Sequence, residues 1–235
     1  MGRIHRGVAW STLPVGFTAA MVAGAPPAAA ELNYEATAEA FAFRMTAANQ
    51  SLPLGLVIEG QGPLSRARQT SLDQSDALAA FPYPGDSAAQ GPGVVGGLIG
   101  VPLPAYPLQA STTGGEEPAR AQLPGIDLSA ESQAALTTAR AVVGSGAPGA
   151  STLSRIIRTA DGGVVSTATT SADGLALGGS ATVSGVESMV SVARDGTGRL
   201  TRSTDLAIGR ISVPGLTMTI PQTLAAPPEP LPLPT

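Results

Sequence analysis

The sequence predicts an all-β protein, mainly antiparallel, folded as a sandwich or a strongly curved sheet, with minor helix possible in the N-terminal half. Turn signals recur between Asp161-Gly162-Gly163 and Pro214-Gly215, and the runs between them are rich in Val, Ile, Thr and Ser. In "LTMTI", Leu216, Met218 and Ile220 alternate with threonines. A period of two residues is typical of a strand with one buried face, so successive antiparallel strands are expected.

The first thirty residues predict a cleaved signal peptide. A basic start is followed by an uncharged apolar run over residues 8–24 and by "APPAAA". Small residues at Ala28 and Ala30 predict cleavage between Ala30 and Glu31. The apolar run is short and interrupted for a membrane span, which needs about twenty residues. An uncleaved N-terminal anchor is the alternative.

Removal of that segment defines the expected organisation. Residues 31–220 are expected to form a single β-rich domain, since about 200 residues are enough for one sizeable core. The proline-rich residues 221–235 predict a flexible tail. We expect a protein that is secreted or associated with the cell envelope, with no transmembrane segment after cleavage and, without cysteine, no disulfides.

The N-terminal half is harder to assign along the chain. Residues 34–45 alternate as a strand would, although alanine and glutamate favour helix by propensity. Residues 53–59 predict a second strand before a Gly-Gln-Gly-Pro turn, and residues 84–118 an irregular crossing rich in Gly and Pro. Residues 127–144 fit either a helix capped by Asp127 or another alternating strand.

The composition excludes several chemistries. Beyond residue 30 the chain has no histidine, cysteine or lysine. Nucleophilic triads, the usual zinc sites, Schiff bases and the phosphate-binding lysine are therefore absent, and we expect no metal and no cofactor. Eleven arginines against seventeen acidic residues leave a net charge of about −6. Nucleic acid is not an expected partner.

Carboxylates are the remaining catalytic candidates. Asp73 and Asp76 would share one face of a helical turn, and Glu116-Glu117 form a second pair. Two carboxylates at the right separation can hydrolyse a glycosidic bond. We favour a cap role for Asp73 or Ser75 at a short helix, and we do not expect an enzyme.

Two segments supply candidate binding residues. In "FPYPGD", Phe81 and Tyr83 lie between or beside prolines, so their rings can form a platform for a sugar or a proline-rich partner, or can pack at the end of the core. Residues 93–109 are the most apolar stretch beyond the signal segment and include Leu98, Ile99 and Tyr106. Their glycines and prolines oppose a regular element, so the segment either covers the sheet or forms a lid over an apolar cavity.

The layout resembles a loose set of exported β-rich proteins of high-GC Gram-positive bacteria with no assigned function. The resemblance lies in the signal peptide, the alternating strand that follows it, "GQGPLSRA", "FPYPGD", and the strands from "STATTSADG" to "VPGLTMTI". It implies an exported all-β domain and no catalytic residue.

These observations favour a non-catalytic structural or binding module of the cell envelope or extracellular space, whose ligand the sequence does not specify. The first alternative is a carrier of an apolar or lipid-like ligand on a concave β-sheet. The second is a carboxylate-based hydrolase similar to glycosidases.

Overall fold

The computed structural model describes residues 17–23, 33–48, 57–85, 108–144, 149–177, 180–220 and 226–231. Within these ranges the chain forms fifteen strands and no helix, and all strand pairs are antiparallel. The strands build two sheets that face each other. The prediction of an all-β, mainly antiparallel fold is confirmed, and of the two expected architectures, a sandwich or a strongly curved sheet, the described residues form the sandwich.

The first sheet has five strands in the order β1-β2-β3-β4-β5. Its strands are β1 (Phe17–Ala23), β2 (Tyr34–Ala48), β3 (Val57–Thr70), β4 (Ser75–Phe81) and β5 (Leu108–Thr113). Each pairs with its neighbour in sequence, so this sheet is a meander. Strand β1 belongs to the predicted signal segment and pairs with β2 along its whole length.

The second sheet has ten strands. They are β6 (Ala119–Leu123), β7 (Ile126–Ser132), β8 (Leu136–Val143), β9 (Gly149–Arg158), β10 (Val164–Asp173), β11 (Leu175–Leu177), β12 (Ala181–Arg194), β13 (Leu200–Val213), β14 (Leu216–Thr219) and β15 (Ala226–Leu231). The main path runs β14-β13-β12-β10-β9-β8-β7-β6, with β11 on β12 and β15 on β13. Residues 226–231 thus pair with the sheet, within the segment for which the sequence predicts a flexible tail.

Burial explains why the ambiguous segments are strands. In β2 the alternate residues Ala36, Ala38 and Ala40 have no exposed surface, whereas Glu35 on the opposite face is exposed. Residues 127–144 form the β7–β8 hairpin, so the helical alternative for this segment is wrong. The pairing of both strands in one sheet outweighs the helix propensity of their alanines.

The two sheets meet through alanine, serine and threonine side chains. Ser65 Oγ lies 2.9 Å from Ser154 Oγ, and Ser154 Oγ donates to the Ser65 carbonyl at 2.9 Å. Ser166 Oγ donates to the Thr37 carbonyl at 2.9 Å. A serine hydroxyl lies only two bonds from its own Cα. The two backbones therefore approach more closely here than the about 10 Å usual between packed sheets.

Larger apolar side chains support this interface at a few points. Leu128 is fully buried among the alanines of β4, β5, β7 and β8, and Ile156 packs with Val164 against the alanines of β2 and β3. Near the end of β3, Gln69 Nε2 donates to the Ala134 carbonyl at 2.7 Å and links β3 to the β7–β8 turn. The core is therefore broad and thin. In the part of the chain that the structure describes, no helix is long and apolar enough to span a membrane.

Candidate binding surfaces

The outer face of the second sheet is rich in hydroxyl groups. The strand register aligns its outward residues in three rows across β9, β10, β12 and β13. The rows are Ser151-Ser171-Glu187-Ala207, Leu153-Thr169-Met189-Asp205 and Arg155-Thr167-Ser191-Ser203. Within them, Ser151 Oγ lies 2.8 Å from Ser171 Oγ and Thr167 Oγ1 lies 3.3 Å from Ser191 Oγ. Six of these twelve residues are serine or threonine, so the face is rich in hydroxyl groups, although Leu153 and Met189 are also exposed.

A cavity of about 370 Å³ opens on these rows, over β10, β12 and β13. Two carboxylates, Glu187 and Asp205, flank the exposed side chain of Met189, and Thr169 and Ser171 add hydroxyl groups. Carboxylates accept hydrogen bonds and hydroxyls both donate and accept them. This arrangement suits a ligand with hydroxyl or cationic groups.

A second cavity, of about 380 Å³, adjoins the first and shares Ser171 and Glu187 with it. It lies at the end of β10 and beside Gly185 of β12, whose amide donates to Asp173 Oδ1 at 3.1 Å. The two cavities adjoin at Ser171 and Glu187, and three carboxylates, Asp173, Glu187 and Asp205, line this acidic groove.

The aromatic rings of "FPYPGD" pack against other side chains of the protein. Tyr83 is 6% exposed and packs with Leu64. The Arg66 guanidinium lies 5.6 Å from the Tyr83 ring centroid and donates to its hydroxyl at 3.3 Å. Phe81 meets Phe43 edge to face, with ring centroids 6.3 Å apart. The structure therefore places both rings where the core-packing alternative expects them, although Tyr83 also lines a polar cavity of about 230 Å³ with Glu39 and others.

Other predicted residues lie outside the described ranges. Leu98, Ile99 and Tyr106 are among them, as are the expected cleavage residues Ala30 and Glu31. Of residues 93–109, the structure describes only the last two, which begin β5 and pair with the end of β4.

The carboxylates at 73 and 76 lie in a β-hairpin, so a helix cap at this position is wrong. Asp73 adopts a φ of 59° in the β3–β4 turn and accepts a hydrogen bond from Arg158, while Asp76 lies on β4 opposite Arg68. Tight turns favour such a left-handed residue, and Asp tolerates it well. The second candidate pair lies in the β5–β6 loop, where Glu116 accepts from the Thr113 amide at 3.1 Å.

Arg158 joins the two sheets at this end of the sandwich. Its guanidinium lies 5.5 Å from the Tyr34 ring centroid, donates to the Tyr34 hydroxyl, and donates to the Thr70 carbonyl at 2.7 Å. Burial raises the pKa of Tyr34. Sequence reasoning missed this group because its members are separated by up to 124 residues and no local pattern links them.

Asp161 links two turns of the second sheet. Its carboxylate accepts hydrogen bonds from Thr159 Oγ1, from the Gly163 amide at 3.3 Å and from the Gly196 amide at 3.4 Å. The Thr159 hydroxyl, followed by the two amides, lowers the pKa of Asp161 because these bonds favour the charged form. The sequence identified this Asp-Gly pair as a turn but not as a link between turns.

The lowered pKa of Asp161 predicts a pH dependence of stability. A carboxylate with a lowered folded-state pKa stabilises the fold above its unfolded value, here 3.8, and loses that contribution as the pH falls through the folded value. Asp161→Asn should therefore destabilise the protein at pH 7, and this deficit should be smaller at an acidic pH below 3.8. Urea denaturation at both pH values measures the difference. The exposed Glu117→Gln serves as control, and an Asp161→Asn deficit that persists unchanged in acid contradicts the prediction.

Among the described residues, no group of three or more His, Cys, Asp or Glu side chains could hold a metal ion. No protein-family model, curated protein or solved structure matches the chain.

Proposed function

We propose that the protein is an exported, non-catalytic structural or binding module of the cell envelope or extracellular space. The direct contact between the sheets carries this proposal. Hydrogen bonds such as those between Ser65 and Ser154 hold the inner faces of the two sheets together. The outer face of the second sheet is therefore the broad surface that a partner can reach. A rigid scaffold with a broad, hydroxyl-rich face suits recognition of an extended polar partner.

The chemistry of the chain supports a non-catalytic role. Histidine, cysteine and lysine are missing beyond residue 30, and the strongest carboxylate contacts are structural. Asp73 faces Arg158, whereas a glycosidase needs two carboxylates directed at one bond. The acidic groove over Glu187 and Asp205 is the surface on which we expect a polar ligand.

The carrier alternative has one favourable observation. At the β13–β14 hairpin, Leu216 is 56% and Met218 50% exposed, and Val213 beside them is also exposed. An apolar strip of this kind can hold an apolar molecule, whereas the closed contact at Ser154 leaves no room for one between the sheets there. The structural or binding module remains our first proposal because the apolar strip at the β13–β14 hairpin is narrow.

Expression of the full chain in an actinobacterial host tests export. We expect secreted or envelope material whose N-terminal sequencing begins Glu31-Leu32-Asn33, because the A-x-A pattern ends at Ala30. Ala28→Asp with Ala30→Asp serves as control and should block cleavage. Folded product that retains Met1 contradicts the proposal.

The same purified protein distinguishes the two binding roles. Native mass spectrometry of a module should give the mass of residues 31–235 alone or with a polar partner. A bound lipid that is lost in Met218→Asp would instead establish the carrier role.

A further inference from the structure

Strand β1 occupies the edge of the first sheet. It pairs with β2 over seven consecutive positions, from Phe17 opposite Ala40 to Ala23 opposite Tyr34. It also lies against β10 and β12 of the second sheet. Strand β1 therefore fills a slot whose wall is the backbone of residues 34–40 and whose floor is the inner face of β12.

This slot opens if the chain is cleaved after Ala30, a step that rests on the proposed export. Strand β2 then becomes the edge of the sheet, with unpaired backbone groups along residues 34–40. The inward residues near the slot are small or branched: Ala36, Ala38 and Ala40 on β2, and Val190 and Val192 on β12. Open edges of this kind bind added strands through main-chain hydrogen bonds, with side chains giving specificity.

We propose that the slot accepts an extended strand from another polypeptide. That strand carries small or apolar residues at its inward positions and arginine or lysine at its outward positions. In the uncleaved chain, strand β1 occupies the position of this partner.

Two glutamates on the outer face of β2 favour a partner with basic residues. Glu35 is exposed and lies opposite Val22, and Glu39 lies opposite Thr18. Glu39 has Arg66 on its other side, with Arg66 Nη1 3.8 Å from Glu39 Oε2, while Glu35 lies opposite Thr70 of β3. Opposite charges directly across two strands stabilise the pair and like charges destabilise it.

The same two residues disfavour a second copy of the protein as the occupant. When two β2 edges pair antiparallel about Thr37, Glu35 of each copy lies opposite Glu39 of the other. Pairing about Glu35 or about Glu39 instead places that glutamate opposite its own counterpart. Glutamates therefore repel each other in three of the registers that keep the alanines inward.

Cutting the folded full chain in vitro tests the slot without relying on export. A site-specific protease sequence placed between residues 24 and 33 lets β1 be released after folding. Three labelled seven-residue peptides serve as probes: the β1 sequence, a form with arginine in place of Thr18 and Val22, and a form with glutamate at both places. Fluorescence anisotropy measures their affinity before and after the cut.

We expect binding only after the cut, with the arginine peptide about tenfold tighter than the glutamate peptide at low salt. High salt should reduce this ratio. Glu35→Arg in the protein should reverse the preference when only the position of Val22 is varied. A peptide with proline in its middle should not bind, because it lacks a backbone donor.

Three results would overturn the proposal. Cut protein that binds none of the peptides at concentrations up to about 1 mM has no usable slot. Equal affinity for the arginine and glutamate peptides rules out the basic partner. A doubled mass after the cut makes a second copy the occupant. The cut chain can bind a peptide even if the protein is not exported. Failure of the export proposal and failure of the slot proposal can therefore be distinguished.

Discussion

Gly196→Ala should destabilise the protein by more than about 3 kcal/mol and lower its melting temperature by roughly 10 °C. A Cβ at this position would lie 2.2 Å from the Asp161 carbonyl oxygen, which is backbone and cannot move aside alone. The β12–β13 turn would have to separate from the β9–β10 turn and break the hydrogen bond that Asp161 accepts from the Gly196 amide. Thermal and urea denaturation measure the loss.

Gly162→Ala is the matched control in the same pair of turns. Gly162 has a φ of +82°, but a Cβ there meets nothing within 4 Å. Gly162→Ala should therefore lower the free energy of unfolding by about 1–2 kcal/mol, through backbone conformation alone. If Gly196→Ala is no more damaging than Gly162→Ala, the two turns are not in the close contact that the structure gives.

Ser154→Leu should cost about 3 kcal/mol or more, because the side chain at this position has no exposed surface and lies against the facing sheet. Leucine would force β9 away from β3, where Ser154 Oγ now reaches both the hydroxyl and the carbonyl of Ser65. The separation would extend to neighbouring alanines, since they share the same spacing. Chemical denaturation of the variant gives the free energy of unfolding.

Two variants separate crowding from the loss of the hydrogen bond. Ser154→Ala removes the hydroxyl without adding volume and should cost about 1 kcal/mol. Ser191→Leu adds the same volume on the outer face and should change stability by no more than about 0.5 kcal/mol. Similar effects for Ser154→Leu and Ser191→Leu would contradict the close approach of the sheets.

The strands could be predicted where turn chemistry and alternation agree. Strand β10 lies between Asp161-Gly162 and Asp173-Gly174, and a turn at Asp195-Gly196 joins β12 to β13, so local turn signals mark these strand ends. The alternation of side chains defines the faces of the three strands. Residues 127–144 lack this agreement. Their alanines suit both helix and strand, and only the neighbouring strands in the sheet decide between them.

The candidate surfaces were less predictable because they depend on register across distant strands. Met189 and Asp205 become neighbours only through the pairing of β12 with β13, and Ser65 meets Ser154 only through the packing of the two sheets. Phe81 and Tyr83 were recognised as unusual from their prolines. Whether such rings are exposed depends on which side chains of other strands pack against them. A short segment of sequence does not contain that information.

The serine and alanine interface also determines how the protein responds to temperature. Burial of apolar surface raises the heat capacity of unfolding, whereas burial of polar surface lowers it. A core that replaces leucine and phenylalanine with alanine methyl groups and bonded hydroxyls such as Ser154 exposes little apolar surface per residue when it unfolds. We therefore expect a flat stability curve, in which the free energy of unfolding differs little between cold and warm temperatures.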